Sequence, residues 1–417
     1  MQTTDNIVIA FVPGTSASEL NTPVDAAEMP NTRVWPEALE IRHVGPYSHH
    51  HEDNYCSAIV NETPLTVGDL VDQFTIGLDF KCYHSLIHYM QTKMGFTSAI
   101  SKTCSPLYSK TKYLDEPLAK VFYHCPYDWR QTNQVSAGML NTALNELDSV
   151  YASKGQTYKL YIVGHSMGGL VSRCLLEDPA LQRGNWFQNT QALITLATPH
   201  YGAPLALRAI LGQKIAGFLE AGAYVDFIKA VVDKPEFPST YELLPPPGKT
   251  FIQDSSGNSL DIYTDDTSAP FVQALDQLGF CAESLGKAKD FFSTLTVTSP
   301  ENTPVPYYCF VGTGHETFAN NDGTHQLAFT YQAGSDDPFK ASPKVLEGDR
   351  VVPQDSARFI FQLTDPQCQT FPYTHGQMGG SDMDGHPGAI EAMLKLIGLP
   401  VPQAAPSAQP QTETSST

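Results

Sequence analysis

The sequence predicts an α/β fold built on a mostly parallel, doubly wound sheet, and three observations predict it. Continuous apolar runs such as Asn6–Val12 and Ala192–Ala197 end at turn residues, as strands buried on both faces do. Amphipathic helical stretches alternate with them, which is the pattern of parallel strands joined by crossover helices. One of these crossings carries a chemical motif: the run Leu160–Val163 leads into Gly164-His165-Ser166-Met167-Gly168-Gly169. Leu170, Val171, Cys174 and Leu175 follow at three- and four-residue spacing.

G-x-S-x-G between a strand and a helix is the nucleophile elbow of an α/β-hydrolase fold. The turn is so tight that residues two before and two after the serine crowd the crossing of strand and helix, which calls for Gly164 and Gly168. Gly169 lets the helix approach the sheet. Such a turn lifts the Ser166 hydroxyl clear of the sheet. It also sets the Met167 amide at a helix N-terminus, facing a developing oxyanion.

Composition bounds the rest. The 417 residues, 41% of them hydrophobic, can bury a large core, either one α/β domain with insertions or two domains. A formal net charge of −19 disfavours nucleic acid and anionic membrane surfaces as electrostatic partners, so any lipid contact is hydrophobic and local. No run of eighteen apolar residues offers a bilayer span. The start, Met1 to Asn6, lacks a basic leader, so the expectation is a cytoplasmic protein or one exported without a cleaved signal. The eight cysteines include no C-x-x-C pair and hence no zinc signature; Cys125 and Cys174 read as buried thiols.

The elements follow in order. Asn6–Val12 is a central strand closed by Pro13-Gly14, and in this fold the loop after an early strand supplies the second oxyanion amide, for which Thr15 is the candidate. Residues 21–120 read as an irregular insertion or lid region, with Arg33-Val34-Trp35-Pro36 and a helical stretch near Tyr83–Met94. Within it, His49-His50-His51-Glu52-Asp53 suggests metal binding. Consecutive loop residues point in alternating directions, however, and a solvated loop is the better reading. Lys120–Arg130 reads as a second buried strand ending in a polar turn, and a helix runs from about Ser136 to Ala152 with Leu140, Leu144, Leu147 and Tyr151 on one face and Gly155 as its stop. After the elbow and the strand at Ala192–Ala197, residues 205–304 read as a helical cap, its Leu205–Lys234 segment apolar nearly all round. An apolar cap over the nucleophile favours a long acyl chain, while extra helices that only widen the core are the alternative. The core resumes at Val305–Gly314, passes through Lys344–Pro353 and Thr374–Gly379, and closes with a helix near Pro387–Ile397. The hydrolase domain thus spans 1–400, and 401–417 reads as a disordered tail.

A serine hydroxyl needs a general base, and the base a carboxylate to orient it; in this fold the chain order is Ser, then Asp or Glu, then His. Asp349 follows Gly348 after an apolar run and precedes Val351-Val352-Pro353, at a core strand's C-terminal end. His375 and His386 both lie downstream. His375, in a glycine-flanked loop about ten residues before the last helix, has room to fold over Ser166, whereas His386 beside Pro387 suits a capping role. His165 cannot turn onto the neighbouring serine, and His200 reads as lining the floor.

Six ordered stretches carry a family likeness: Val12-Pro13-Gly14, Pro126-Tyr127-Asp128-Trp129-Arg130, the elbow at Gly164–Gly169, Thr198–Pro204, Pro238–Pro245, and Gly348–Pro353 with His375. In these the chain resembles the lecithin:cholesterol acyltransferase family, which includes lysosomal phospholipase A2 and phospholipid:diacylglycerol acyltransferases. The resemblance implies Ser166 as nucleophile, Asp349 as acid, His375 as base, and the Thr15 and Met167 amides as oxyanion donors. It further implies acyl-ester chemistry on lipids without a metal or organic cofactor, transient contact with a membrane or lipid particle, and the region near Trp35 as an acyl- or membrane-contacting lid. Disulfides Cys56–Cys82 and Cys309–Cys368 are implied in the same way. The chain departs from the family at Arg350, where Gly-Asp-Gly becomes Gly348-Asp349-Arg350; this cation either lowers the pKa of the acid or points to solvent.

Overall fold

The computed structural model describes residues 6–26, 30–37, 57–61, 65–72, 74–75, 79–80, 82–103, 110–181, 183–212, 230–318, 328–342, 344 and 346–401. Its strands, in chain order, are β1 (Asn6–Val12), β2 (Ser18–Asn21), β3 (Arg33–Trp35), β4 (Thr66–Leu70), β5 (Phe74–Thr75), β6 (Asp79–Phe80), β7 (Thr97–Ile100) and β8 (Lys120–His124). They continue with β9 (Tyr158–His165), β10 (Thr190–Leu196), β11 (Ile252–Gln253), β12 (Ser259–Leu260), β13 (Tyr307–Gly312), β14 (Phe329–Tyr331), β15 (Phe339–Ala341) and β16 (Cys368–Phe371). The helices are α1 (His84–Thr92), α2 (Asn133–Ala152), α3 (Met167–Glu177), α4 (Trp186–Asn189), α5 (Pro204–Ile210), α6 (Pro270–Gln277), α7 (Ala282–Thr294), α8 (Gln354–Ala357), α9 (His375–Met378) and α10 (Gly388–Leu396).

Seven strands form the central sheet in the order β16-β13-β10-β9-β1-β8-β7, every neighbouring pair parallel. Period-two alternation along β1 sends Val8, Ala10 and Val12 into one core with Leu140, Leu144 and Leu147 of α2 and Leu170 and Val171 of α3. Ile9 and Phe11 enter the opposite core with Leu86 and Met90 of α1 and Ile390, Met393 and Leu394 of α10. A strand buried on both faces has no polar side to show, which is why its sequence is one apolar run. Helix α2 starts where the Thr132 side chain accepts the Val135 amide, and each fully buried leucine on its face stabilises the fold by about 1.5–3 kcal/mol.

Two regions are more ordered than expected. Within 21–120, β2, β3 and β4 form an antiparallel sheet in the order β3-β2-β4, and β7 is the edge strand of the central sheet. Thr97 is exposed and Ser98 half-buried on β7, so its sequence lacks the long apolar run that marks the inner strands. Between β10 and β13 the chain builds a cap whose own core gathers Leu207, Ile210, Tyr241, Phe251, Phe271 and Leu275. A second excursion after β13 joins it: Phe318, Phe329 and Phe339 enter the same core, and the cap sheet runs β12-β11-β14-β15. The cap therefore extends past residue 304. Of the apolar segment expected as helix from Leu205 to Lys234, α5 forms the start, and residues 213–229 lie outside the described residues, as do the run His49–Asp53 and residues 402–417.

The implied Cys309–Cys368 disulfide is not formed. Cys82, Cys309 and Cys368 are free thiols, although Cys309 and Cys368 sit side by side in the β13–β16 ladder; Cys56 lies outside the described residues. Burial pushes the Cys309 thiol up to about 12 and the Cys368 thiol up to about 11, so both stay protonated and pack as small apolar groups. Cys125 and Cys174 are buried thiols as well.

Candidate active site

At the C-terminal end of β9 the chain turns into α3 through Ser166, whose backbone has φ 53° and ψ −128°. Few non-glycine residues adopt this conformation; here the Ser166 amide, bonded to the Leu196 carbonyl at 2.9 Å, helps to hold it. Neighbouring glycines make the turn possible. A Cβ at Gly164 would stand 2.5 Å from Gly169 Cα, one at Gly168 2.2 Å from the Val12 carbonyl oxygen, and one at Gly169 1.9 Å from Thr198 Oγ1.

Two further loops converge on the serine. His375 Nε2 lies 2.9 Å from Ser166 Oγ, and His375 Nδ1 lies 2.8 Å from Asp349 Oδ2. Asp349 is fully buried, and its other oxygen accepts the Val351 and Val352 amides at 2.9 and 2.7 Å. A carboxylate accepts only, so Nδ1 carries the imidazole proton and the Nε2 lone pair faces the Ser166 hydroxyl. His375 does not ride on an open loop. It is the first residue of α9, a single turn fixed by a capping box between Thr374 and Gln377, and its amide donates to the Asp349 carbonyl at 2.9 Å. Gly312 lets Asp349 come close, since a Cβ there would stand 2.6 Å from the Asp349 Cβ.

The loop after β1 is tied down from three sides. Tyr127 donates to the Pro13 carbonyl at 2.9 Å, Trp35 Nε1 to the Ser16 carbonyl at 2.7 Å, and the Gly14 amide donates to Tyr83 Oη at 2.9 Å. A Cβ on Gly14 would reach 3.0 Å from Ser166 Cβ, so this loop lies directly against the nucleophile candidate. The Thr15 and Met167 amides face no acceptor among the described residues. Trp35 corrects the reading of it as a lid residue. At 1% exposure, with its ring 5.1 Å from that of Trp129, it touches neither solvent nor the cavity and instead braces the loop from behind. The Tyr127–Arg130 motif is a brace too: buried Arg130 grips Asp128 through two bonds of 2.9 and 2.6 Å and donates to the Ile59 carbonyl at 2.7 Å. Tyr83 and the bracing role of Tyr127 are absent from the sequence reading. Their only sequence signal is that each tyrosine sits in or beside an apolar element, where its hydroxyl needs a partner.

The remaining histidines separate clearly. His386 contacts Asp382 at 2.7 Å and Gln377 at 3.0 Å, not Ser166. His200 is buried between Arg173 and Thr195 with its ring stacked on Phe359, behind the cavity rather than on its floor. His165 is buried between Tyr83 and the His375 main chain, and burial, with His375 beside it, holds its pKa down at about 3. Arg350 is exposed, with φ 85° and its amide donating to Thr317 Oγ1 at 3.0 Å.

Ser166 and His375 open onto a cavity of about 910 Å³. Its apolar wall includes Leu205, Leu243, Phe318 and Leu346, the last of these 65% exposed at the rim, and the cationic side chains are Arg208, Lys344 and Arg350. Among the described residues no cluster of three or more His, Cys, Asp or Glu is placed to hold a metal ion, and no helix is long and apolar enough to cross a membrane.

Several known proteins are similar to this chain in part. A family model described as the PGAP1-like alpha/beta domain matches residues 130–215. Lecithin-cholesterol acyltransferase-like 4 of Arabidopsis thaliana is 29% identical over 127 residues, which is 30% of this chain and 23% of that protein, so the match spans under a quarter of the relative's length. Among solved structures, the Tle4-Tli4 complex aligns with a TM-score of 0.49 at 14% identity over 94% of this chain and 98% of its own. The mature lipase BlEst2 of Bacillus licheniformis aligns at 0.37 and 13% identity, over 95% and 93%. With its seven parallel strands, its helices on both faces and its elbow inside the matched segment, the chain has an α/β-hydrolase fold and is similar, over part of its length, to a PGAP1-like domain and to a lecithin-cholesterol acyltransferase-like protein.

Proposed function

We propose that the protein is a serine hydrolase of lipid esters working through an acyl-enzyme. The observation that carries the reading is the chain Asp349–His375–Ser166, closed by contacts of 2.8 and 2.9 Å at the wall of a large, mainly apolar cavity. His375 Nε2 takes the Ser166 proton as Oγ bonds to the ester carbonyl carbon, and Asp349 holds the imidazolium. The Thr15 and Met167 amides receive the oxyanion, each worth on the order of 3–4 kcal/mol in the transition state. Collapse of the adduct breaks the bond to the alcohol, which leaves with the proton from His375. Water, or a second alcohol, then takes the acyl group by the same steps in reverse. The apolar wall and the exposed Leu346 suit an acyl chain entering from an interface.

Purified protein and its Ser166→Ala variant, incubated with phosphatidylcholine and triacylglycerol vesicles with and without a long-chain alcohol, test the reading by mass analysis of products. Serine-dependent free fatty acid is expected. Serine-dependent new ester would make the protein a transacylase, and cleavage of short soluble esters alone would reduce it to a general carboxylesterase.

A further inference from the structure

One path of hydrogen bonds beneath the site is not used by the triad. The Gly14 amide donates to Tyr83 Oη at 2.9 Å, Tyr83 Oη meets His165 Nδ1 at 2.8 Å, and His165 Nε2 meets the His375 carbonyl oxygen at 3.0 Å. The directions are forced. A carbonyl only accepts, so the proton of His165 sits on Nε2; Nδ1 is then a lone pair and takes the Tyr83 hydroxyl proton; the Tyr83 oxygen is left to accept the Gly14 amide. Packing leaves no slack in this path. The rings of Tyr83 and His165 meet edge to face at 5.8 Å, those of His165 and His375 lie 5.0 Å apart, and a Cβ on Gly379 would come within 2.8 Å of the His165 ring.

We infer that Tyr83 and His165 are positioning residues that lock the loop bearing the Thr15 amide and the main chain bearing His375 to one another, so that oxyanion donor and general base are set as one unit. The inference rests on the serine-hydrolase reading above. It explains why the residue before the nucleophile is a histidine turned away from it. It also removes Gly14 from the candidates for the oxyanion hole, because its N–H already has an acceptor. Protonation of Nδ1 would reverse the middle bond, and the groups facing His165, Tyr83 on one side and His375 on the other, supply no anion to favour that form.

The test is a cycle of Tyr83→Phe, His165→Asn and both together. Phenylalanine keeps the ring and deletes the hydroxyl, while asparagine keeps an acceptor near Nδ1 and loses the reach to His375. For each single variant a fall in kcat of roughly 10- to 100-fold is expected with KM held within about twofold, since misplacement by less than an ångström acts on the transition state. Affinity for a trifluoromethyl ketone analogue should fall in parallel, and the double variant should be no worse than the poorer single. Independent losses that multiply, or unchanged analogue affinity with only a lower Tm, would overturn the relay. Should either variant fail to fold, nitrogen-15 spectra of histidine-labelled wild-type protein decide: an Nε2–H tautomer for His165 supports the direction, and an Nδ1–H tautomer refutes it. Ser166-dependent turnover that survives Tyr83→Phe unchanged ends the relay alone, whereas turnover independent of Ser166 ends the underlying reading.

Discussion

Replacing Asp349 by asparagine changes one atom, yet the geometry predicts a severe loss. One carboxylate oxygen accepts two main-chain amides at 2.9 and 2.7 Å, so the carbamoyl oxygen of Asn must stay with them. The NH2 group is then left facing His375 Nδ1, donor against donor across a 2.8 Å contact. Relief comes by moving the imidazole proton to Nε2, where it points at Ser166 and removes the lone pair that would accept the hydroxyl proton. A wrong tautomer of this kind costs about 10⁴ in kcat, which is about 5.5 kcal/mol of transition-state stabilisation. Initial rates on p-nitrophenyl esters from pH 6 to 9, with circular dichroism to verify the fold, measure it. A variant within tenfold of wild type would mean that Asp349 does not orient the base and that the reading of the triad is wrong.

Other perturbations follow from the same packing. Gly168→Ala places a Cβ 2.2 Å from the Val12 carbonyl and 2.4 Å from the Pro13 carbonyl, both backbone atoms, and should cost about 3 kcal/mol or more in urea unfolding; a change below 0.5 would show that the elbow has slack. Buried Glu242, whose pKa burial raises to about 8, keeps its proton in the folded state at pH values where the unfolded chain has lost it. Stability therefore falls by about 1.4 kcal/mol per pH unit between the ordinary carboxyl range and that value, and Glu242→Gln should gain on wild type from pH 5 to pH 8 in urea midpoints. Equal pH slopes would contradict it. His165, whose pKa is depressed to about 3, acts in the opposite direction: the unfolded state takes up a proton first, so stability drains as pH falls from about 6.5 towards 3, measurable as an acid-side fall in Tm. Leu346→Asp at the rim should slow release from emulsified long-chain triacylglycerol several-fold and spare soluble acetate esters; equal effects on both would detach Leu346 from lipid entry.

Legibility in the sequence tracked locality. β1, β9 and β10 read as strands because burial on two faces writes a continuous apolar run, and the elbow reads as a turn because its glycines and serine lie within six consecutive residues, even though Gly168 and Gly169 are packed against the distant Val12 and Thr198. Chain order points to Ser166 and Asp349, the room of its glycine-flanked loop favours His375 over His386, and the structure sets the three side by side. Strand β7 was illegible because an edge carries half the apolar signal. The cap sheet was illegible because its strands are two or three residues long, too short to express a period, and Ile252 finds its partner in the distant Phe329. Tyr83 holds Gly14, 69 positions away, and no spacing rule reaches that far. Trp35 shows the opposite error, in which likeness to a family suggested a surface role for an indole that the local packing buries.

The cap is built by two excursions of the chain, one running from β10 to β13 and the other following β13, and the two share one core. Neither segment can be inherited, exchanged or trimmed alone, because a graft of 204–300 without 316–342 would arrive with β11 paired to β12 alone, its β14 side open, and with Phe329 and Phe339 missing from its interior. Specificity at this site should therefore evolve by correlated change in two distant stretches of sequence, while β13, which runs between them, stays tied to the sheet and to the close approach of Gly312 to Asp349.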